Sequence, residues 1–256
     1  GSSVWRLALR SPGALSLGAT FEPFEIPAGG QLIVADSLGT TVLGPFTRSD
    51  RGADGRLTLE PLRGEGLVLE YTQPAGLARP ALALSQVIHD YRGVFAHFRT
   101  SHELGSACFV DANCAEGLFH QEQKRAAVMI LIDGFQGSGT LLNNTAEDQA
   151  PYILTVRHIL PRREFVSVVV VFLNEYFGCA PQSAVLEPRS ISGATVVATS
   201  VPYDQALLLL SSRPPLDYLP YHAGWDLAPD FHAGPAVAIG HPGGQPKKIT
   251  IDMDDI

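Results

Sequence analysis

The sequence is poor in charged residues, and basic residues are the scarcer kind. Only 17% of its 256 residues are charged, and 18 Lys and Arg stand against 26 Asp and Glu, for a formal net charge of −8. Binding to nucleic acid or to an anionic membrane needs clustered basic side chains, so this balance argues against both partners. No apolar run approaches the roughly 20 residues of a membrane-spanning helix. The composition therefore indicates a soluble protein.

The sequence also contains no convincing amphipathic helix. It has 25 Gly and 19 Pro, and these residues divide it into short alternating segments that predict an all-β fold. Segments of this kind over residues 1–80 predict a β-sandwich or jelly-roll-like domain. A less regular stretch, 81–104, is interpreted as a linker. From 105 to 256, dense β-branched runs such as FVSVVVVFLN predict strands of a barrel.

Cysteine is rare, and the count is odd. The three residues are Cys108, Cys114 and Cys179. Such a count in a Gly- and Pro-rich β protein indicates one disulfide and one thiol without its partner. Three reduced, buried thiols in a cytosolic protein are the alternative that composition leaves open.

Three sets of residues raise the question of a bound metal. They are His89, His97 and His102; His222, His232 and His241 with Asp226; and Asp252, Asp254 and Asp255. The histidine spacings match no familiar ligand pair. The acidic residues could offer oxygen ligands to calcium, but they alternate with apolar residues, which is typical of an exposed strand edge. We predict no metal and no cofactor.

One histidine and one aspartate stand where two apolar strands meet polar residues. In YILTVRHILP, His158 follows a buried strand, and in VPYDQALLLL, Asp204 directly precedes another, 46 residues later. A carboxylate that enters a run of four leucines needs a hydrogen-bonded partner, because a buried carboxylate alone is costly. Pairing with His158 would supply one. The residues by themselves leave open whether such a pair is catalytic or structural.

Several motifs resemble those of chymotrypsin-like serine proteases. The segment SGTLLNNTAEDQAPYILTVRHIL resembles the part of that family that carries the catalytic His, and YDQALLLL resembles the strand that carries the Asp. GSACFVDANCAEG, AGWD and IGHPGGQPKKI are similar to motifs of the bacterial lysyl endopeptidase branch, in the same order over 105–256. The resemblance implies that His158 is the general base and Asp204 its orienting acid. It also implies that residues 1–80 are the pro-region of a secreted zymogen, and a binding domain that the protein keeps for docking is the alternative.

The resemblance assigns the cysteines and marks two departures. It implies a disulfide between Cys114 and Cys179, and leaves Cys108 to pair with a cysteine near the end of the catalytic domain. Ile159 stands where the family has a cysteine beside the catalytic His, so that bridge is not expected. Val156 replaces the usual small alanine.

The sequence has no segment that matches the family's nucleophile motif. That nucleophile lies in a GSSGSP-type loop after the strands that match IGHPGGQPKKI, and this sequence contains no such loop. Ser138 does not replace it, because Gln136 stands where a Gly-x-Ser-x-Gly motif requires glycine. We therefore expect an incomplete double β-barrel that has His158 and Asp204 but no nucleophile.

Three arrangements would explain a protease chain that has no nucleophile. A second polypeptide could carry the serine and be linked through Cys108, the chain could be a truncated form, or it could be an inactive pseudoprotease that serves as a binding scaffold. The expected substrate is a protein or peptide, and the expected location is extracellular or periplasmic.

Overall fold

The computed structural model describes residues 1–52, 55–91, 109–132, 135–160, 165–179, 189–227 and 235–253. The chain divides into two compact units, Gly1–Ala96 and His97–Ile256. Several residues singled out in the sequence lie outside the described ranges: His97, His102, Cys108, His232, Asp254 and Asp255. The proposals about Cys108 and the acidic C-terminal residues therefore stay predictions.

The first unit consists of two antiparallel sheets. Its strands are β1 (Ser2–Arg10), β2 (Ser16–Glu25), β3 (Gln31–Asp36), β4 (Val42–Phe46), β5 (Leu57–Thr58), β6 (Leu62–Arg63), β7 (Gly66–Pro74) and β8 (Ala81–Asp90), with a 3-10 helix at Arg48–Asp50. One sheet has the order β1-β7-β3-β4, and in the other β2 pairs with β5, β6 and β8. Side chains of both sheets form one apolar core, which includes Leu17, Phe24, Val34 and Leu67. This is the layered arrangement of a β-sandwich.

The interpretation of 81–104 as a linker was wrong over its first ten residues. Ala81–Asp90 is strand β8, and it pairs with β2 from Ser16↔Asp90 to Glu25↔Ala81. The segment ALALSQVIHD looks irregular because most of its side chains are exposed or half-buried. Backbone pairing to β2 keeps it in the sheet although it contributes little to the core.

The second unit contains a closed six-stranded barrel. Its strands are β10 (Ala127–Ile132), β11 (Phe135–Leu142), β12 (Tyr152–Val156), β13 (Phe165–Phe172), β14 (Arg189–Ser200) and β15 (Gln205–Leu210). Their order is β10-β11-β12-β15-β14-β13, and pairing of β10 with β13 closes the barrel. The inward side chains are apolar and fully buried, among them Val128, Ile130, Leu141, Ile153 and Leu208.

A three-stranded antiparallel sheet belongs to the same unit. It has the order β16 (Ala236–Gly240), β17 (Lys248–Asp252) and β9 (Val110–Asp111). The other described elements of this unit are 3-10 helices at Ala115–His120, Gln123–Arg125, Arg157–Ile159, Leu216–Tyr218 and Pro242–Gly244. The prediction of an all-β, chymotrypsin-like fold with an N-terminal sandwich is confirmed. Within the described ranges, no helix has the length and apolarity needed to cross a membrane.

Candidate active site

His158 lies directly beyond the end of a barrel strand. Along β12 the side chains alternate, with Ile153 and Thr155 buried and Leu154 and Val156 exposed. After Val156 the backbone turns into the 3-10 helix Arg157–Ile159, which is closed by the bond from the Leu160 N–H to the Arg157 carbonyl at 2.9 Å. Because of this turn, His158 lies outside the sheet, at the rim of the barrel.

Asp204 reaches the same rim from the neighbouring strand. In the antiparallel pair of β12 with β15, Val156 lies opposite Gln205, so the residues just beyond this rung must be adjacent. The Arg157 N–H donates to the Asp204 carbonyl at 3.0 Å. Asp204 has a φ of 50°, in the left-handed region that Asp tolerates better than most residues. That conformation ends the turn and starts β15.

Two hydrogen bonds join the pair. The His158 backbone N–H donates to Asp204 Oδ1 at 2.9 Å, and His158 Nδ1 lies 2.5 Å from Asp204 Oδ2. Because an ionised carboxylate can only accept, Nδ1 carries the proton, and Nε2 is the basic nitrogen of the neutral ring. The side-chain hydrogen bond from His158 lowers the pKa of Asp204, and the backbone bond adds to this. Asp204 therefore stays ionised and fixes the tautomer of His158.

The pair is open to solvent, which differs from the buried carboxylate that the leucine run suggested. The side chains of His158 and Asp204 are 68% and 48% exposed. The four leucines of β15 alternate, so only Leu208 and Leu210 are buried, and Asp204 precedes the strand in an exposed turn. An open imidazole at a rim is accessible to a second reacting group.

The side chain and the carbonyl of Ser138 are both hydrogen-bonded. Its Oγ accepts a hydrogen bond from the His241 N–H at 2.8 Å, and its carbonyl accepts from Thr155 Oγ1 at 2.9 Å. These contacts join β11 to β12 and to the turn after β16. The Thr155 contact supports the interpretation that Ser138 lies beside the His-bearing strand, with its side chain exposed.

Cys114 and Cys179 form a disulfide, with their Cα atoms 4.3 Å apart. Cys114 follows β9 and Cys179 follows β13, so the bond ties the three-stranded sheet to the barrel wall. Ile159, which stands where the resemblance expects a cysteine, instead packs against the barrel core.

Sequence reasoning missed a buried ionic cluster next to this disulfide. Glu175 is 3% exposed and binds two ammonium groups: Lys124 Nζ lies 2.6 Å from Oε1, and Lys247 Nζ lies 3.1 Å from Oε2. Lys124 also bonds Asn113 Oδ1, and Asn113 Nδ2 donates to the Tyr176 carbonyl at 2.5 Å. The sequence feature that could have indicated the cluster is the glutamate directly after the run VVVVFLN. A glutamate buried there needs a cationic partner.

The cluster shifts several pKa values. Burial by itself would raise the pKa of Glu175, but the Lys247 and Lys124 charges outweigh burial, and the pKa lies below its ordinary value. Burial lowers the pKa of Lys247, although Glu175 opposes the shift. Burial and the nearby charge of Lys247 lower the pKa of His241 to about 3, so this imidazole is neutral at physiological pH. Its Nδ1 lies 3.0 Å from the Gln245 carbonyl.

The described part of the chain holds no group of three His, Cys, Asp or Glu placed to bind a metal. Of the histidines grouped with Asp226 as possible metal ligands, two lie in the described part of the chain. His241 is buried in the ionic cluster, and His222 is half-buried with its pKa lowered by burial.

A His–Asp pair at the rim of a closed antiparallel barrel is the arrangement of the trypsin-like serine proteases. Residues 103–255, more than half of the chain, match the family model described as lysyl endopeptidase, C-terminal domain. The chain belongs to that family.

Two solved structures are similar at lower identity. They are the Rv3671c protease in an inactive form, and a serine-to-alanine mutant of Rv3671c from M. tuberculosis H37Rv, also in an inactive form. Each is 20% identical with a TM-score of 0.33 over 50% of this chain, covering 51% of the first structure and 49% of the second. The match thus spans about half the length of those proteins.

Proposed function

We propose that this chain supplies the general base and the orienting acid of a serine endopeptidase whose nucleophile lies outside this sequence. The observation that supports the proposal most directly is the 2.5 Å contact between His158 Nδ1 and Asp204 Oδ2 at an open rim. Family membership supports peptide-bond hydrolysis as the reaction. A peptide with lysine before the scissile bond is the first substrate to test, since the family is named for it.

The proposed chemistry is acyl transfer. His158 Nε2 removes the proton from the serine hydroxyl as its oxygen attacks the peptide carbonyl, and Asp204 stabilises the imidazolium that forms. The imidazolium then donates that proton to the leaving amine, which leaves an acyl-enzyme. In deacylation His158 takes a proton from water, the hydroxide attacks the ester, and the proton returns to the serine oxygen.

The serine is proposed to come from residues that follow this sequence in the same protein or from a second chain linked through Cys108. Ser138 is a poor candidate because Gln136 stands where a Gly-x-Ser-x-Gly motif requires glycine. We further propose that residues 1–80 with strand β8 act as a pro-region or docking domain. An extracellular or periplasmic location is supported by the disulfide between Cys114 and Cys179, because such bonds persist in oxidising compartments.

The test of the proposal starts from the intact protein as isolated from cells. Its mass is measured under denaturing, non-reducing conditions before and after reaction with a fluorophosphonate serine probe. Labelling of a serine outside this sequence supports the proposal. Absence of any label on a folded sample contradicts it and favours the alternative, a non-catalytic binding scaffold built on the same fold.

Two substitutions test the assigned roles in a sample that labels. We expect His158→Ala to lower turnover by about 10⁴-fold or more, because the base is lost. Asp204→Asn should lower it by about 10⁴-fold, since an amide no longer selects the productive tautomer. His120→Ala, at a half-buried histidine on another element, is the matched control and should change turnover less than about twofold. Equal activity of His158→Ala and the control would remove the assignment.

A further inference from the structure

The turn after β16 is a tightly closed unit, here called the HPGGQ turn (residues 241–245). Inside it, the Gly244 N–H donates to the His241 carbonyl and the Gln245 N–H to the Pro242 carbonyl, each at 3.1 Å. Gly243 and Gly244 have φ values of +59° and +75°. The two glycines allow this left-handed geometry, which side chains resist.

The HPGGQ turn is bonded to one strand of the closed barrel. The His241 N–H donates to Ser138 Oγ at 2.8 Å, and Gln136 Nε2 donates to the Gly243 carbonyl at 2.9 Å. A Cβ on Gly244 would lie 2.0 Å from Gln136 Oε1, and one on Gly240 would lie 2.9 Å from Ser138 Oγ. The turn and β11 are therefore fitted closely at two points.

The same part of β11 contacts the segment that carries His158. The ladder between β11 and β12 ends at Thr140↔Leu154, and beyond it Thr155 Oγ1 still donates to the Ser138 carbonyl at 2.9 Å. A Cβ on Gly137 would lie 3.1 Å from Ile159 Cδ1, next to His158 in the chain. The start of β11 thus touches the HPGGQ turn on one side and the His158 segment on the other.

We infer that Ser138 and Gln136 are positioning residues that fix the β16–β17 sheet at a set distance from His158. Their side chains make the polar contacts between the turn and β11, and each binds a different backbone group of the turn. The catalytic consequence rests on the proposed function, in which a nucleophile must be held within about 0.5 Å of its reacting position relative to the base.

The experiment measures the distance between the barrel and the β16–β17 sheet in this chain, and it needs no enzymatic activity. Nitroxide labels are placed on Thr199→Cys, an exposed residue of β14 whose partner is Ala206 of β15, and on Thr250→Cys, an exposed residue of β17, in a Cys108→Ser background. We expect one narrow distance distribution in the parent. It should broaden in the Ser138→Ala/Gln136→Ala double variant. It should stay narrow in Ser138→Thr, which keeps the hydroxyl and leaves Gln136 in place.

Amide exchange separates loss of positioning from loss of folding. With one hydrogen bond removed, the His241 amide should exchange about fivefold faster in Ser138→Ala, while the Val128 and Leu208 amides in the barrel keep their protection. An unchanged distance distribution in the double variant overturns the inference. So does equal loss of protection throughout the barrel, because Ser138 would then be needed only for folding.

Kinetics distinguish this inference from the proposed function. In protein that labels with the fluorophosphonate, Ser138→Ala should lower kcat about tenfold with little change in KM, and Ser138→Thr should restore it. A fall in kcat/KM that comes from KM alone would contradict the inferred positioning of the nucleophile relative to His158. If the parent does not label, the proposed function fails, and the distance measurement still decides whether Ser138 and Gln136 hold the sheet.

Discussion

The closed barrel and the three-stranded sheet of the second unit are stabilised in different ways. The barrel has no free edge, and its core consists of apolar side chains such as Ile130, Ile153 and Leu208. The sheet β16-β17-β9 buries one large apolar residue, Ile249, and leaves the side chains of Ala236–Ala238 on β16 exposed. Next to it lies the cluster of Lys124, Glu175 and Lys247.

The difference shows which part of the unit depends on charge. Burial of apolar surface holds the barrel and depends little on pH or on any one partner. The sheet depends on a buried anion between two buried cations, where removing one member leaves the others uncompensated. The barrel is thus a rigid platform for His158, while the sheet is held to it by specific polar contacts.

The largest expected effect comes from removing the central anion. Glu175→Gln should lower the free energy of unfolding by about 3–5 kcal/mol, because it leaves two buried ammonium groups without a counter-charge. Urea unfolding of the whole chain measures the change. Glu116→Gln, at an exposed glutamate of the same unit, is the matched control and should stay within about 0.5 kcal/mol. A Glu175→Gln effect as small as the control's would mean that the ion cluster contributes little to stability.

Acid should weaken the sheet before the barrel. His241 has a pKa of about 3 in the folded chain, below its ordinary value of 6.5, so between these pH values the unfolded chain binds a proton that the folded chain does not. Stability due to neutral His241 is fully present above pH 6.5 and is lost as the pH falls toward 3, by up to about 1.4 kcal/mol per pH unit. The lowered pKa of Glu175 acts in the same direction in the acid range.

The substitution His241→Asn isolates this contribution. Its side-chain amide keeps a donor for the Gln245 carbonyl but does not titrate. Unfolding free energies measured from pH 7 to pH 4 should fall less steeply in the variant than in the parent. Parallel curves would show that His241 does not carry the acid sensitivity, and agreement at pH 7 to 8 would show that the substitution is otherwise tolerated.

The smallest expected effect compares one methylene in each region. Ile130→Val removes it from the fully buried barrel core and should cost about 1 kcal/mol. Ile251→Val makes the same change on β17, where the side chain is 37% exposed, and should cost less than about 0.5 kcal/mol. Thermal unfolding of both variants measures the difference. Equal losses would mean that Ile251 is covered in solution by something that the described residues do not include.

Sequence reasoning predicted the fold from local features. Alternation and β-branched runs predict strands wherever a segment buries one or both faces, and the barrel segments are long and apolar enough to be clear. The same dependence on burial explains why strand β8 was not predicted. Most side chains of ALALSQVIHD lie outside the core, so the segment lacks the apolar pattern of a buried strand. The positions of His158 and Asp204 at the ends of apolar runs suggested that the two residues pair. The motif resemblance then suggested their roles as general base and orienting acid.

Local sequence is enough to predict the class of fold and the residue types available for chemistry, because burial patterns and motifs are local in the chain. Which distant groups come into contact depends on the folded arrangement of the strands. Glu175 contacts Lys124 and Lys247, which are 51 and 72 residues away in the sequence. His241 contacts Ser138, which is 103 residues away. Such contacts depend on strand order and register, which bring together residues whose local sequence carries no sign of each other.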